Sequence, residues 1–275
     1  KLELGNDDFR RIHAHCEKIG IAFLATPFDL DAARFLIDDL GCGTVKVGSG
    51  DLDNLPLLLT IASRGVDMIV STGMSDYDEV TLSVGAIAYG RMMHARGEKF
   101  GLESRFPGTE DMRQALAAGA PSGLTLLHCT SEYPATHPTL NMRAITAMRE
   151  MFAPIPIGFS DHSTDDVAAI MAVCFGAVMI ERHITYDRTA VGPDHAASLD
   201  EPAFARMIEA IRTAEAALGF AEGRKVMSSG EKAIRGIARK RLVAGRDLKA
   251  GETLTLANTL LKRAPDGIAA GRIGE

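Results

Sequence analysis

The sequence contains no Trp, only 5% aromatic residues and only four cysteines. A core with so few rings has to be filled by Ala, Val, Ile, Leu and Met. That suits helices packed on a parallel sheet better than an aromatic-rich β-sandwich. Cys16, Cys42, Cys129 and Cys174 show no CxxC spacing, so neither a disulfide framework nor a Cys-based zinc site is expected. A reducing, cytoplasmic compartment is the better fit. No apolar run reaches the roughly 18 residues of a membrane span. Net charge is −6, the wrong sign for a nucleic-acid binder, which needs clustered Lys and Arg and a basic balance. No Gly-rich dinucleotide fingerprint follows the first strand candidate.

What is present is a repeated unit. Short apolar runs at 21–25, 44–48, 68–71, 124–129, 155–159 and 178–182 read as strands buried on both faces. Helical patterns alternate with them at 30–40, 54–64, 77–96, 140–152, 164–176 and 201–218, and a leading helix runs from Asn6 or Asp7 to Gly20. Capping residues agree: Asp29, Asp53 and Ser163 or Thr164 at starts, Gly41, Gly65 and Gly219 at ends. Six strand–helix units predict an α/β fold with a parallel sheet, either open and doubly wound or closed as a (β/α)8 TIM barrel. Polar residues end nearly every strand: Thr26, Ser49, Ser71, Thr130, Ser160 and His183. That distribution favours the barrel, in which every strand feeds one site. About two units are then expected upstream of Lys1, in a native chain longer by roughly a hundred residues.

The expected organisation is a barrel domain over 1–222 with an inserted loop at about 97–123 that carries a short helix near Glu110–Ala118, a linker over 223–236, and a partial β-rich domain over 237–275. Within the last, strands are expected at 241–244, 247–253 and 259–263.

Candidate chemistry sits at the strand ends. His162 and His183 follow consecutive strands, so two imidazoles meet at one end of the sheet and suit a borderline divalent metal with open positions for substrate. A single strand-end His is more often a satisfied buried side chain; the pair shifts the balance to metal. Lys46 stands in an apolar strand, where an ammonium needs an anion. It is either a phosphate or carboxylate contact or the partner of a buried Glu or Asp, unless its strand is an edge. Ser49, Ser71, Thr72 and Ser160 add hydroxyls. Asp194 lies in a turn-forming loop; His195 ranks below the other two as a metal ligand, and His128 is as consistent with packing as with chemistry.

The strings Ala25-Thr26-Pro27-Phe28, Lys46-Val47-Gly48-Ser49-Gly50, Asn54-Leu55-Pro56-Leu57 and Ser71-Thr72-Gly73-Met74 occur in order. Leu127-His128-Cys129-Thr130-Ser131-Glu132-Tyr133-Pro134, Gly158-Phe159-Ser160-Asp161-His162, Glu181-Arg182-His183 and Gly192-Pro193-Asp194-His195-Ala196 follow. Together they resemble the sialic acid synthase family, which includes legionaminic and pseudaminic acid synthases. The tail, with Arg241-Leu242-Val243-Ala244, Asp247-Leu248, Gly251-Glu252 and Leu261-Lys262-Arg263, resembles the start of that family's antifreeze-like (SAF) domain.

The resemblance implies condensation of phosphoenolpyruvate with an N-acylated amino sugar such as N-acetylmannosamine, with release of phosphate. It implies a divalent metal, Mn2+ first and Mg2+ or Co2+ as alternatives, on His162 and His183. Thr26, Lys46, Ser49, Ser131 and Ser160 match positions that hold phosphoenolpyruvate, and Ser71 ends a neighbouring strand. Glu181 and Asp194 match positions near the sugar and its reacting oxygen, and Tyr133 matches a substrate-pocket tyrosine. Arg263 matches an arginine offered to the partner's sugar pocket, which implies a domain-swapped homodimer. Ser131 stands where relatives often carry Asn, and Asp51 where they often carry Glu. The other readings are a different metal-dependent barrel aldolase or hydrolase, and a catalytically inactive glycan-binding homologue.

Overall fold

A computed structural model describes residues 4–219 and 223–272. The chain divides into two compact units, Lys1–Leu218 and Gly219–Glu275.

The first unit is built on five parallel strands in the order β1-β2-β3-β4-β5: β1 (Thr44–Val47), β2 (Asp67–Ser71), β3 (Leu124–Cys129), β4 (Ile157–Asp161) and β5 (Ile180–Arg182). These are the strands of a TIM-type barrel seen in part. Side chains alternate across each strand. Val45 and Val47, Met68 and Val70, Leu124 and Leu126, and Ile157 and Phe159 enter one large core cluster. That core packs against α3 (Leu55–Ala62), α4 (Tyr77–Ala95), α6 (Ala144–Met151) and α7 (Val167–Cys174). Lys46, Ser71, Cys129, Ser160 and Glu181 take the intervening positions on the other face.

The helices start where their caps allow. Asn54 accepts from the Leu57 amide at 3.3 Å to open α3. Asp76 and Glu79 form a reciprocal capping box on α4. The leading helix α1 (Asn6–Ile19) ends at Gly20, whose φ of 75° is the left-handed cap geometry that glycine adopts freely. The terminal helix of this unit, α8 (Glu201–Leu218), has the bounds expected from sequence.

Three expectations for this unit need correction. The run 21–25 is not a strand: a single backbone bond, from the Lys46 amide to the Ala25 carbonyl at 3.1 Å, ties it to β1, and Ile21 and Leu24 stay exposed. The predicted helix 30–40 divides into α2 (Leu30–Arg34) and a π-helical turn, Phe35–Asp39. The helix expected from Thr164 begins only at Val167, because Ser163 is committed to other bonds and the Asp165 carboxylate accepts from the Val167 amide. The insertion 97–123 contains the short helix expected near 110–118. Phe100 binds Ser63 Oγ through its amide, and α5 (Thr109–Ala118) lays Met112 against Leu59 and Ala86, adding an outer helical layer over α3 and α4.

In the second unit, part of the expected linker 223–236 is helix: α9 (Ser229–Ala238) is nucleated by a Ser228/Glu231 capping box. Strands β6 (Lys240–Ala244), β7 (Thr259–Arg263) and β8 (Ile268–Ala269) form an antiparallel sheet in the order β7-β6-β8. The run 247–253 is not a strand, because side chains satisfy its backbone instead. Glu252 accepts from the Lys249 amide, and Asn258 donates to the Thr253 carbonyl. Among the described residues no helix is long and apolar enough to cross a membrane.

Candidate functional site

Parallel register sets the site. Cys129 lies opposite Ser160, and Ser160 opposite Glu181, so three strands deliver one row of polar side chains. One residue further, Asp161 faces Arg182; one further again, just past the strands, come His162 and His183. This is the strand C-terminal end, where barrel chemistry collects.

The row opens into a cavity of about 530 Å³. Ten of the twelve residues expected from sequence line it: Thr26, Lys46, Ser49, Ser71, Ser131, Tyr133, Ser160, His162, Glu181 and His183. Asp194 is not in the lining, but its charge is felt at Tyr133 and His183. It takes a left-handed φ of 65° in its loop. Arg263 lies on β7 of the second unit, opposite Lys240. His195 is engaged with Thr185 Oγ1 at 2.8 Å, His128 reaches the Leu140 carbonyl and stacks on Phe159, and Thr72 donates to the Leu127 carbonyl. These last three are structural.

Both sequence readings of Lys46 meet here. The residue is 5% exposed. Its Nζ donates to Ser71 Oγ and the Val47 carbonyl, each at 2.8 Å, and stands 3.5 Å from Glu181 Oε2. Ser160 Oγ donates to the other Glu181 oxygen at 2.7 Å. Burial pulls the Lys46 ammonium below its ordinary pKa, with Glu181 opposing. The result is a buried cation with one carboxylate partner and hydroxyls around it, chemistry suited to a phosphate or carboxylate.

The two imidazoles face each other with ring centroids 5.2 Å apart, and the Tyr133 ring lies 4.0 Å from that of His162. His162 Nδ1 sits 2.8 Å from the Thr130 carbonyl, much closer than the 3.9 Å to Cys129 Sγ. A carbonyl only accepts, so Nδ1 is the donor, which leaves Nε2 as the acceptor nitrogen of the neutral ring. Burial lowers His183, and the neighbouring His162 adds to the effect. Burial also acts to lower His162, but the Cys129 and Thr130 contacts outweigh it and the net shift is upward. Tyr133 is pushed up to about 12, by burial first and then by negative charge at Cys129, Asp194 and Glu181. Among the described residues no cluster of three or more His, Cys, Asp and Glu side chains could hold a metal ion. The donor set fits a borderline divalent ion on two imidazoles, with water or substrate oxygens completing the shell.

Sequence reasoning missed Phe28, Gly48, Gly50, Met74, Cys129 and Arg182 as lining residues. Cys129 could have been found from strand periodicity, since it takes the position equivalent to Ser160. Burial acts to raise its thiol, yet bonds with His162, Ser49 and Ser160 bring it below the ordinary value. Gly73 is constrained by close approach: its amide donates to Ser49 Oγ at 3.0 Å, and an added Cβ would collide with Ser131 Oγ and lie 2.8 Å from Ser49 Oγ.

The family model described as "NeuB family" matches residues 1–223. The N,N'-diacetyllegionaminic acid synthase of Campylobacter jejuni is 35% identical over the whole chain, which spans 73% of that protein. The enzyme of the same name from Legionella pneumophila is 33% identical over 99% of this chain and 68% of its own length. Among solved structures, the N-acetylneuraminic acid synthetase of Leptospira borgpetersenii aligns with a TM-score of 0.69 and 27% identity, covering 84% of this chain and 70% of that one. With a family match over most of its length and synthases among its relatives, the chain is an enzyme belonging to the NeuB family.

Proposed function

We propose that the protein is a nonulosonic acid synthase that condenses phosphoenolpyruvate with the open-chain aldehyde of an N-acylated amino sugar and releases phosphate. The observation that carries this reading is one cavity holding two complementary halves. A buried ammonium with hydroxyls, at Lys46, Ser71 and Ser160, stands beside a pair of facing imidazoles, at His162 and His183.

Lys46, Ser49, Ser71, Ser131, Ser160 and Thr26 are assigned to the phosphate and carboxylate of phosphoenolpyruvate, which arrives as a multiply charged anion. Glu181, which accepts from Ser160 and pairs with Lys46, is assigned to the sugar and its reacting oxygen, where a carboxylate can hold or move a proton. Tyr133 covers the imidazoles, keeps its hydroxyl proton, and presents ring and hydroxyl to the sugar. Asp194 is assigned to a sugar hydroxyl near His183.

His162 and His183 are the residues that would hold a divalent ion, Mn2+ first and Mg2+ or Co2+ as alternatives. Such an ion supplies Lewis-acid polarisation of the aldehyde oxygen. The enolpyruvate methylene carbon bonds to the aldehyde carbon, water adds at the former enol carbon, and phosphate departs from it to leave the keto acid. Arg263 is assigned to the sugar pocket of a partner subunit in a domain-swapped homodimer, and the tail to an antifreeze-like domain, on the motif resemblance. Four free cysteines support a cytoplasmic setting.

The test is incubation with phosphoenolpyruvate, Mn2+ and a panel of N-acetylmannosamine and di-N-acetylated dideoxy sugars, with phosphate release and product mass followed together. The expected result is one phosphate per nonulosonic acid formed. Sugar turnover without phosphate release would instead establish an aldolase or hydrolase.

A further inference from the structure

We propose that the buried Asp161–Arg182 pair is a cross-strand clamp that sets the separation of the His162 and His183 imidazoles, making both residues positioning residues for the reaction.

The two side chains are directly opposite in the β4–β5 register. They form an ion pair sealed from solvent, with side-chain exposures of 0% for Asp161 and 1% for Arg182. Ser163 closes the arrangement into a ring. Its amide donates to Asp161 Oδ1 at 2.8 Å, its hydroxyl accepts from Arg182 Nη1 at 3.2 Å, and its carbonyl accepts from Arg182 Nη2. His162 is therefore bracketed by two ring members, Asp161 and Ser163, while His183 follows the third.

The position gives such a tie a role. Strand β5 has only three residues, Ile180–Arg182, and its ladder partner is β4. Just past it the His183 carbonyl accepts from the Leu199 amide at 3.1 Å and Ile184 bridges to Leu199, which holds the backbone there. The β4–β5 ladder itself ends at Asp161–Arg182, so this pair is the last direct tie between the two strands that carry the imidazoles, whose spacing matters to a fraction of an ångström for two ligands of one ion. Arg suits the role because its planar fork reaches a carboxylate, a hydroxyl and a carbonyl at once, which Lys cannot do. A buried ion pair is weak support for stability and is often replaceable by apolar side chains of like volume. Its presence between two histidine-bearing strand ends points to geometric specificity.

The inference rests on the proposed role of the two imidazoles, and the experiment separates the two claims. In the full chain, Asp161→Leu combined with Arg182→Met removes the charges as a pair, and Arg182→Lys keeps the charge without the fork. The expected double variant stays folded, with Mn2+ affinity by titration calorimetry 10- to 100-fold weaker. Its kcat falls while KM for phosphoenolpyruvate holds, because Lys46 and Ser160 are untouched. Arg182→Lys should restore part of the affinity. A crystal structure of each variant reads the clamp without any metal: His162–His183 separation should depart from 5.2 Å or His183 should lose a single position. Unchanged imidazole geometry in a folded variant overturns the clamp. His162→Ala binding Mn2+ as tightly as the parent overturns the metal assignment instead, and the separation measurement still decides the clamp. If the double variant fails to fold, Arg182→Lys carries the same comparison.

Discussion

Replacing Lys46 by Met separates binding chemistry from fold. The methylene stem is preserved, so packing between Val45 and Val47 is retained. The change deletes an ammonium that is 5% exposed and donates two hydrogen bonds. Each lost bond is worth about 1 kcal/mol, but removing a buried charge returns its desolvation penalty. Glu181, with a side chain 36% exposed, keeps Ser160 and solvent as partners. The net stability change is expected within about 2 kcal/mol, a Tm shift of less than about 8 °C for a unit of this size. Activity should respond differently. A charge-assisted bond to a phosphate or carboxylate oxygen contributes about 1.5–3 kcal/mol, so kcat/KM for phosphoenolpyruvate should fall about 10- to 150-fold. Steady-state phosphate release and a thermal melt measure the two quantities. A loss below about threefold with an unchanged KM would refute the assignment of Lys46 to the anion. The pH dependence adds a sign. Burial sets the folded pKa of Lys46 below its ordinary 10.5, so the native state holds this proton less tightly than the unfolded chain. Fold stability from this group therefore rises with pH through the window between the lowered value and 10.5. Binding runs the other way: the ammonium is lost in that window, and the alkaline limb of kcat/KM should begin below pH 10.5 and be absent in Lys46→Met.

Gly73→Ala should abolish most activity while the unit stays folded, because the new methyl displaces Ser131 and Ser49, whose hydroxyls line the cavity; circular dichroism and turnover measured together check this, and near-parent turnover would sink it. A phenolate absorbance titration should show a component near pH 12 that is missing in Tyr133→Phe. Phe159→Ala removes a ring that is 0% exposed in the main core and should cost about 3–5 kcal/mol, read as an earlier midpoint in urea.

The fold was legible because a parallel sheet buried on both faces writes itself as short apolar runs, and because caps such as Asp29, which accepts from the Ala32 amide, mark where helices begin; the cap of α3 is Asn54, one residue past the expected Asp53. The two misread strands share one cause. Runs 21–25 and 247–253 have strand-like composition, but composition does not show whether a neighbouring edge is available. In the first, one bond to Lys46 is all that forms; in the second, Glu252 and Asn258 capture the backbone groups a ladder would have used. The helix after β4 starts late for a tertiary reason as well, since Ser163 is held by Asp161 and Arg182. No local pattern around Ser163 carries that information, because Arg182 lies on another strand.

The site was more legible than its construction. Residue types in strands and at their ends named seven cavity-lining side chains, Thr26, Lys46, Ser49, Ser71, Ser160, His162 and His183, since parallel strands in register bring equivalent positions to one level; Ser131, Tyr133 and Glu181 came from the family resemblance alone. The same register explains what was missed. Once Ser160 and Glu181 are known to share a row, Cys129 must occupy its third place, and the row above must hold Asp161 against Arg182. Sequence alone displayed Asp161 and Arg182 as charged neighbours of two histidines. Their meaning comes from burial: two opposite charges wholly removed from water, one step from the imidazoles, at the last register pair of the two strands that carry them. Polar residues that face the cavity are therefore found by position along each strand, whereas those that aim them are found only by pairing across strands.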